Sequence, residues 1–225
     1  KETFTTKDNE RPSDRFFLDS AATIRPFFEP KALQANMSPE KSINKMGHAM
    51  HDLDPVFNRF SRLPQIKELV KDLGLQHPLI MQSMYIFKQP YVGGEVTCHQ
   101  DGTFLYTEPD TTIGLWFAIE DATVENGCLW AIPGGHVSQL KRRFVKSPED
   151  KTSFIEYDTA PWDLSGRVPL EAKKGTVIVL HSRVPHMSET NTSSRSRHAY
   201  TLHVIDADST YPSDNWLQLK NPKGF

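Results

Sequence analysis

The hydrophobic pattern of the first third of the chain predicts one clear helix. Apolar side chains recur at the i, i+3, i+4 and i+7 positions of one segment: Ile66, Leu69, Val70 and Leu73. Pro64 stands at the first helical position, and Gly74 stands where a helix C-cap belongs. The segment therefore predicts an amphipathic helix of about three turns that lies on the surface of another layer.

Downstream of residue 79 the pattern changes to short apolar runs separated by turn residues. The runs predict strands at 79–87, 112–119, 128–132, 175–180 and 199–205, and the strand at 175–180 is expected to be buried. Asn126-Gly127 indicates a hairpin between two of them. Residues 137–144 predict a short helix or loop, and residues 146–165 a long surface excursion. Many short strands with flanking helices favour a mainly β fold, a sandwich or jelly roll, over a parallel α/β sheet.

The N-terminal quarter gives weaker signals. Residues 1–15 predict an exposed loop, and the aromatic-rich segment 15–29 resembles a strand that Pro26 interrupts. Residues 30–42 predict a loop, whereas residues 43–51 are ambiguous between a strand end and a helix.

Composition restricts the class of protein. The length of 225 residues predicts a single domain, residues 1–225, and a net charge of −2 gives no electrostatic reason to expect nucleic acid as a partner. No apolar run approaches the roughly 20 residues of a membrane span. Two cysteines, Cys98 and Cys128, favour a reducing compartment. We expect an intracellular monomer, cytoplasmic rather than peroxisomal. Because the chain begins at Lys1, we also expect an N-terminal part, with any targeting signal, to be missing; the resemblance described below implies that this part is helical.

A His-x-Asp pair, His99 and Asp101, is the main candidate for chemistry. Residues two apart on an extended backbone point to the same side, so both side chains can bind one ion. Two histidines and one carboxylate form the facial triad of non-haem Fe(II) oxygenases, which leaves three coordination positions open. The chain must then supply a second histidine.

Both His181 and His186 have suitable spacing, since both follow the predicted strand 175–180. Arg197, eleven residues after His186, favours His186, because the equivalent offset from His181 falls on Thr192. A guanidinium binds carboxylates in a bidentate manner, so the set predicts a small dicarboxylic acid that joins the metal to Arg197. Alternatively, Arg197 is a surface residue of a Ser-rich loop. The remaining histidines are expected to be structural: His48, His51, His77, His136, His198 and His203.

Several ordered blocks resemble one family. They are His99-Gln-Asp101, the run from Glu125-Asn-Gly-Cys-Leu-Trp to Pro133-Gly-Gly-His136, and His186-Met-Ser188 followed by Arg197. Together with the segments 41–48 and 82–90, they resemble the phytanoyl-CoA dioxygenase family over about residues 10–217. The resemblance implies a double-stranded β-helix, a jelly-roll and cupin-like fold with flanking α-helices, and an oxygenase that depends on Fe(II), 2-oxoglutarate and O₂.

The resemblance also implies residue roles. His99, Asp101 and His186 would hold the iron, and Arg197 and Ser188 would bind the distal carboxylate of 2-oxoglutarate. Further residues would line the co-substrate pocket: Lys45, Met84, Gln100 and Trp116. Met84 and Trp116 are equally typical of a barrel core, and Lys45 of a surface.

The implied reaction is hydroxylation of an organic substrate, coupled to decarboxylation of 2-oxoglutarate to succinate and CO₂. Asp101 favours hydroxylation over halogenation, because a related halogenase has a small residue there. An acyl-CoA thioester is one candidate substrate, and the run Lys141-Arg142-Arg143 is a candidate phosphate contact. The alternatives are a non-catalytic metal-binding jelly roll and a zinc hydrolase with the same three ligands.

Overall fold

The computed structural model describes residues 14–225, and this part of the chain is mainly β. Its strands are β1 (Ile24–Phe28), β2 (Ile43–His48), β3 (Pro78–Ile86), β4 (Val96–His99), β5 (Ile113–Ala118), β6 (Leu129–Ala131), β7 (Arg142–Lys146), β8 (Thr152–Glu156), β9 (Val168–Leu170), β10 (Val177–His181), β11 (His186–Ser188), β12 (Ala199–Asp206) and β13 (Lys223–Gly224). Its α-helices are α1 (Asp14–Asp19), α2 (Pro30–Gln34), α3 (Pro39–Ser42), α4 (Met50–Leu53), α5 (Pro55–Ser61) and α6 (Pro64–Asp72).

Two antiparallel sheets form the jelly roll. The larger sheet has the strand order β1-β2-β3-β12-β5-β10, with β13 paired to β3, and the smaller has the order β4-β11-β6-β9. Residues of both sheets line one cavity, among them Met84 and Trp116 from the larger sheet and His99 and His186 from the smaller. The cavity therefore lies between the sheets, as expected of a jelly roll.

Strand β12 separates the hydrophobic core from the cavity. All eight of its residues are buried. Tyr200, Leu202 and Val204 pack in an apolar cluster with Ile66 and Val70 of α6. Thr201 and His203, which alternate with them, line the cavity. The period of two in a strand thus gives β12 one face for stability and one for the site.

The predicted helix is present as α6. Ile66 and Val70 are buried on its inner face, and Gly74 follows it with φ of 103°, a left-handed conformation that favours glycine at a helix end. Within residues 14–225, no helix combines the length and the apolar character that crossing a bilayer needs.

The N-terminal predictions are wrong in part. Residues 1–13 lie outside the described residues, so the predicted loop there is largely untested. The segment 15–29 begins as helix α1, and only its last part forms β1, which contains Pro26 at the edge of the sheet. The predicted loop 30–42 contains α2 and α3, each with proline at its first position. The ambiguous segment contains both a strand, β2, and the start of α4.

Three predictions about the later segments also fail. Asn126-Gly127 does form a turn, with Gly127 at φ of 83°, but the strands on either side, β5 and β6, belong to different sheets and make no hairpin. Strand β10 is an edge strand with mostly exposed side chains, so it is not buried as predicted. Residues 142–156 form a β7–β8 hairpin, so part of the predicted helix or loop 137–144 is a strand, whereas residues 146–165 are mostly exposed, as predicted for a surface excursion.

Candidate active site

Three side chains meet where β4 and β11 pair. His99 ends β4, His186 begins β11, and the two are cross-strand partners. Asp101 follows β4 in a 3₁₀ turn, Asp101–Thr103. Its Oδ1 atom lies 3.8 Å from Nε2 of His99 and 3.5 Å from Nε2 of His186. The strand pairing brings together the two histidines and the carboxylate that the sequence selected, and His181 lies elsewhere, exposed at the end of β10.

Both histidines are fixed in the tautomer that a metal requires. Nδ1 of His99 lies 2.8 Å from the carbonyl oxygen of Thr97, and Nδ1 of His186 lies 3.0 Å from that of Val184. A carbonyl oxygen only accepts hydrogen bonds, so each Nδ1 carries the proton and donates it. Each Nε2 therefore offers a lone pair toward Asp101. Backbone carbonyls are typical partners of the outer nitrogen of metal-binding histidines.

The spacing of these atoms fits a first-row divalent ion. Potential ligand atoms of His99, Asp101 and His186 lie within 4.8 Å of one another. Ligands at about 2.1 Å from an ion, at about 90° to one another, are about 3 Å apart, so small rotations would complete the coordination. Burial, followed by the neighbouring His186, lowers the pKa of His99 to about 4, so the imidazole is neutral near pH 7.

The second carboxylate oxygen of Asp101 faces His203. Its Oδ2 atom lies 3.4 Å from Nε2 of this histidine, which the sequence argument had assigned a structural role. Burial raises the pKa of Asp101, but the neighbouring His186, His203 and His99 outweigh it and leave the pKa below its usual value. Asp101 is therefore ionised at neutral pH, as a ligand must be.

Arg197 is buried in the wall of the cavity that His99, Asp101 and His186 also line. It lacks a counter-ion among the described residues. Only 1% of Arg197 is exposed, and within residues 14–225 its Nε and Nη1 atoms have no hydrogen-bond partner. Its guanidinium lies 5.2 Å from the ring centre of Trp116. Burial lowers the pKa of Arg197 to about 10, so it stays charged. A buried charge without a partner is costly, and an anionic ligand would relieve this cost.

A second buried cation, Lys88, lies behind Ser188. Its Nζ atom donates to Oγ of Ser188 at 2.8 Å and to the carbonyl oxygen of Gly94 at 2.9 Å. An ammonium only donates, so Ser188 accepts and keeps its own proton for another acceptor in the cavity. Burial, followed by the charge of Arg197, lowers the pKa of Lys88 well below its usual value. Lys88 was not among the residues predicted from the sequence to line the pocket.

The sequence-predicted pocket residues divide into two groups. Five of them line the cavity: Lys45, Met84, Trp116, Ser188 and Arg197. Lys45 is only 6% exposed, which contradicts a surface location, and its Nζ lies 3.6 Å from Sδ of Met84.

Gln100 does not line the cavity. Its amide nitrogen donates to the carbonyl oxygens of Gln139 and Arg183, and its amide oxygen accepts from the backbone N–H of Lys141. Side chains alternate along an extended backbone, so Gln100 points away from the side that His99 and Asp101 share. The side chain links the segments that follow β6 and β10, and a contact between Gln100 and the co-substrate stays a prediction.

The hairpin β7–β8 supplies one wall of the cavity. Phe144 and Phe154 face each other across the hairpin and continue to Phe104, with ring centres 5.2 to 6.5 Å apart. The ring of Phe104 lies 6.1 Å from that of His99. The open side of the triad is therefore walled by aromatic side chains, and the cavity has a volume of about 200 Å³.

The basic run at the start of this hairpin, the candidate phosphate contact Lys141-Arg142-Arg143, forms ion pairs within the protein. Lys141 lies 2.5 Å from a carboxylate oxygen of Asp158, Arg142 lies 3.5 Å from Glu156, and Arg143 lies 2.5 Å from Asp214. The run thus offers no uncompensated positive charge to a phosphate.

Comparisons with known proteins agree with this geometry. The family model described as "Phytanoyl-CoA dioxygenase (PhyH)" matches residues 5–199. The chain is 48% identical over 224 residues to "Phytanoyl-CoA dioxygenase 1" of Oryza sativa subsp. japonica, covering 97% of this chain and 79% of the relative. It is 47% identical over 228 residues to "Phytanoyl-CoA dioxygenase domain-containing protein 1" of Rattus norvegicus, covering 96% of this chain and 78% of the relative.

A solved structure shares the fold. The epimerase SnoN, in complex with Fe³⁺, α-ketoglutarate and nogalamycin RO, superposes with a TM-score of 0.65 at 18% identity, covering 94% of this chain and 80% of its own. The fold class is therefore confirmed as a jelly roll. With its family model and relatives spanning most of its length, the chain is an enzyme that belongs to the phytanoyl-CoA dioxygenase family.

Proposed function

We propose that the protein hydroxylates a small organic substrate and couples this to the oxidative decarboxylation of 2-oxoglutarate. The reaction takes up O₂; one oxygen atom goes into the substrate C–H bond and the other into succinate, with release of CO₂. The observation that carries the proposal is the pairing of a ready metal triad with a buried, uncompensated guanidinium in one cavity.

His99, Asp101 and His186 would hold Fe(II) through two neutral Nε2 atoms and one carboxylate oxygen. When bound, the iron supplies the activation of O₂ that no amino-acid side chain provides. The backbone carbonyls behind both imidazoles keep the rings in place, and His203 supports the far oxygen of Asp101. The protein's contribution is orientation of the ligands and preservation of an open coordination side.

Arg197 and Ser188 would bind the distal carboxylate of 2-oxoglutarate. Ser188 has a proton to donate because Lys88 occupies its acceptor side. Lys45, Met84 and Trp116 would line the rest of the co-substrate pocket. A dicarboxylate suits this end of the cavity, because it compensates cations that are otherwise buried without sufficient negative charge.

The alternatives explain fewer of these features. A metal-storage module or a zinc hydrolase that uses bound water needs the triad but has no use for buried Arg197. An acyl-CoA substrate would need contacts to its phosphates, and the ion pairs of Lys141, Arg142 and Arg143 argue against that basic run as the place. We therefore keep the substrate as a small organic molecule.

The test is succinate formation from 2-oxoglutarate by protein loaded anaerobically with Fe(II) and then exposed to O₂. We expect turnover that requires both metal and O₂, is lost in Asp101→Ala without unfolding, and falls strongly in Arg197→Ala. Arg195→Ala is the matched control, since this arginine is exposed on the same loop. Turnover that survives Asp101→Ala, or that falls equally in the Arg195 variant, would contradict the proposal.

A further inference from the structure

The end of the cavity beyond the aromatic wall contains a buried hydrogen-bond acceptor. His48, at the end of β2, lines the same cavity as the triad and is 1% exposed. Its Nδ1 lies 2.8 Å from Oγ of Ser20, and that hydroxyl donates its single proton to the carbonyl oxygen of Phe17 at 2.5 Å. Ser20 must therefore accept from Nδ1–H, which leaves Nε2 of His48 with a lone pair.

This lone pair has no hydrogen-bond donor within residues 14–225. Burial, with the nearby charge of Lys45, lowers the pKa of His48 well below its usual value. The imidazole therefore stays neutral, and its Nε2 atom remains an acceptor without a donor. An unsatisfied buried acceptor costs on the order of 1–3 kcal/mol. A donor on a bound molecule would recover that cost.

A buried donor stands beside this acceptor. Trp216 is 2% exposed, lines the same cavity, and has an indole N–H without an acceptor among the described residues. The rings of His48 and Trp216 are edge to face, with centres 5.2 Å apart. The unpartnered acceptor and the unpartnered donor thus belong to two rings that contact each other and line one cavity.

A continuous row of aromatic rings joins this pair to the metal triad. The ring of Phe17 lies 4.3 Å from that of Trp216 and 5.8 Å from that of Phe144. Phe144 contacts Phe104, which in turn contacts His99. A molecule held at His48 and Trp216 would thus extend along an apolar wall toward the open side of the triad.

We propose that His48 and Trp216 form a substrate subsite for a neutral group that both donates and accepts a hydrogen bond, a hydroxyl or an amide, attached to a compact apolar or aromatic body. The inference rests on the proposed function for its link to catalysis. A carboxylate offers no proton to the lone pair of His48. An ammonium group offers no acceptor to the N–H of Trp216, and it would be repelled by Lys45 nearby.

The test measures the affinity of four one-ring probes of similar size by ligand-observed NMR, using metal-free protein. Benzyl alcohol and benzamide carry both a donor and an acceptor, toluene carries neither, and benzoate carries only acceptors and a charge. Two hydrogen bonds of ordinary strength predict that the first two bind about tenfold more tightly than toluene. Benzoate reports binding at Arg197 in the same cavity, so its affinity should not respond to changes at His48 or Trp216.

Variants assign the preference to the two side chains. Trp216→Phe keeps the aromatic body and removes the N–H, so we expect the tenfold preference to fall to about threefold or less. His48→Gln keeps an acceptor and should retain most of the preference, whereas His48→Phe should lose it. Trp162→Phe is the matched control, since Trp162 stacks under Lys141 in the outer groove and does not line the cavity. Where His48→Phe fails to fold, Trp216→Phe decides.

Equal affinities for benzyl alcohol, benzamide and toluene, no binding of any of these three, or a preference that survives Trp216→Phe would overturn the inference, and ordered water would then satisfy both groups. Stimulation of succinate formation by the same probes is measured separately with Fe(II) and 2-oxoglutarate. A binding preference without any 2-oxoglutarate turnover would support the subsite and contradict the proposed function, so the two failures are distinguishable.

Discussion

Oδ2 of Asp101 lies 3.4 Å from Nε2 of His203, while Oδ1 of the same carboxylate faces both Nε2 atoms of the triad. The two oxygens therefore have separate tasks, one directed at the metal position and the other at a buried histidine of β12. A carboxylate that lies at ion-pair distance from a histidine through one oxygen loses less freedom when the other oxygen binds an ion. We therefore expect His203 to position Asp101 as a metal ligand.

We predict that His203→Ala lowers the affinity for Fe(II) or Mn(II) by about 10- to 100-fold, the range typical of groups that orient metal ligands. His203→Gln should lose less, because its amide N–H is able to replace the donor. Competition with a fluorescent chelator measures both. The control is His198→Ala, on the opposite face of the same segment, where the ring contacts Tyr85. An affinity within twofold of wild type in His203→Ala would refute the positioning role.

The same carboxylate explains why residue 114 is glycine. A Cβ atom built on Gly114 would lie 2.6 Å from Oδ2 of Asp101 and 3.4 Å from Cβ of Leu180. We predict that Gly114→Ala displaces the carboxylate and lowers metal affinity at least tenfold, with the same chelator competition as the measurement. Gly166→Ala is the control, because nothing lies within 4 Å of a Cβ there. If both variants bind metal like wild type, Asp101 is not held as tightly as its contacts indicate.

The candidate metal ligands could be selected from the sequence because their spacing is local. His99 and Asp101 share one short segment, and Arg197 has a fixed offset from His186. What the sequence could not give is which face of β12 turns inward. Parity separates His198 from His203, but only the pairing of β12 with β3 and β5 assigns one of them to the cavity.

Lys88 and the aromatic wall depend on contacts between distant segments, so local patterns do not reveal them. Lys88 follows a strand and resembles a surface residue, yet its side chain lies in a channel that exists because Gly93 and Gly127 have no Cβ to collide with it. Phe144 and Phe154 become neighbours only through the β7–β8 pairing. Gln100 was assigned by resemblance, whereas its buried side chain hydrogen-bonds to the backbone of Gln139, Lys141 and Arg183.

The contact between Lys88 and Ser188 predicts an effect on the co-substrate alone. Lys88→Met keeps the length of the side chain and removes its charge and its hydrogen bond to Ser188. Charged hydrogen bonds contribute about 1.5–3 kcal/mol, so we expect KM for 2-oxoglutarate to rise by about tenfold or more while kcat changes less than about twofold. The melting temperature should stay equal or rise, because a buried ammonium is costly.

Lys146→Met is the matched control for that substitution. Lys146 lies on β7, where it pairs with Asp150 away from the cavity. A melting temperature that falls steeply in Lys88→Met together with an unchanged KM would assign Lys88 to structure alone. The measurements are initial rates of succinate formation across 2-oxoglutarate concentrations and thermal unfolding of the free protein.

Lys45 predicts how binding of 2-oxoglutarate depends on pH. Burial lowers the pKa of Lys45 to about 7, so in the free protein its amine is charged below pH 7 and increasingly neutral above it. Both carboxylates of 2-oxoglutarate stay ionised from pH 6 to 9, and a bound dicarboxylate favours the charged amine. Binding above pH 7 must therefore take up a proton, and affinity should fall as pH rises from 7 to 9, by at most about tenfold per pH unit. Calorimetric titration of the Mn(II)-loaded protein in buffers of different ionisation enthalpy measures the affinity and the proton uptake together. His99, with its pKa near 4, does not titrate in this window.

Two variants assign the proton uptake to one lysine. Lys45→Met should bind 2-oxoglutarate more weakly at pH 7 and lose most of the pH dependence, whereas Lys88→Met should keep the pH dependence. A pH dependence of the affinity that persists in Lys45→Met and disappears in Lys88→Met would assign the proton uptake to Lys88 and contradict the prediction.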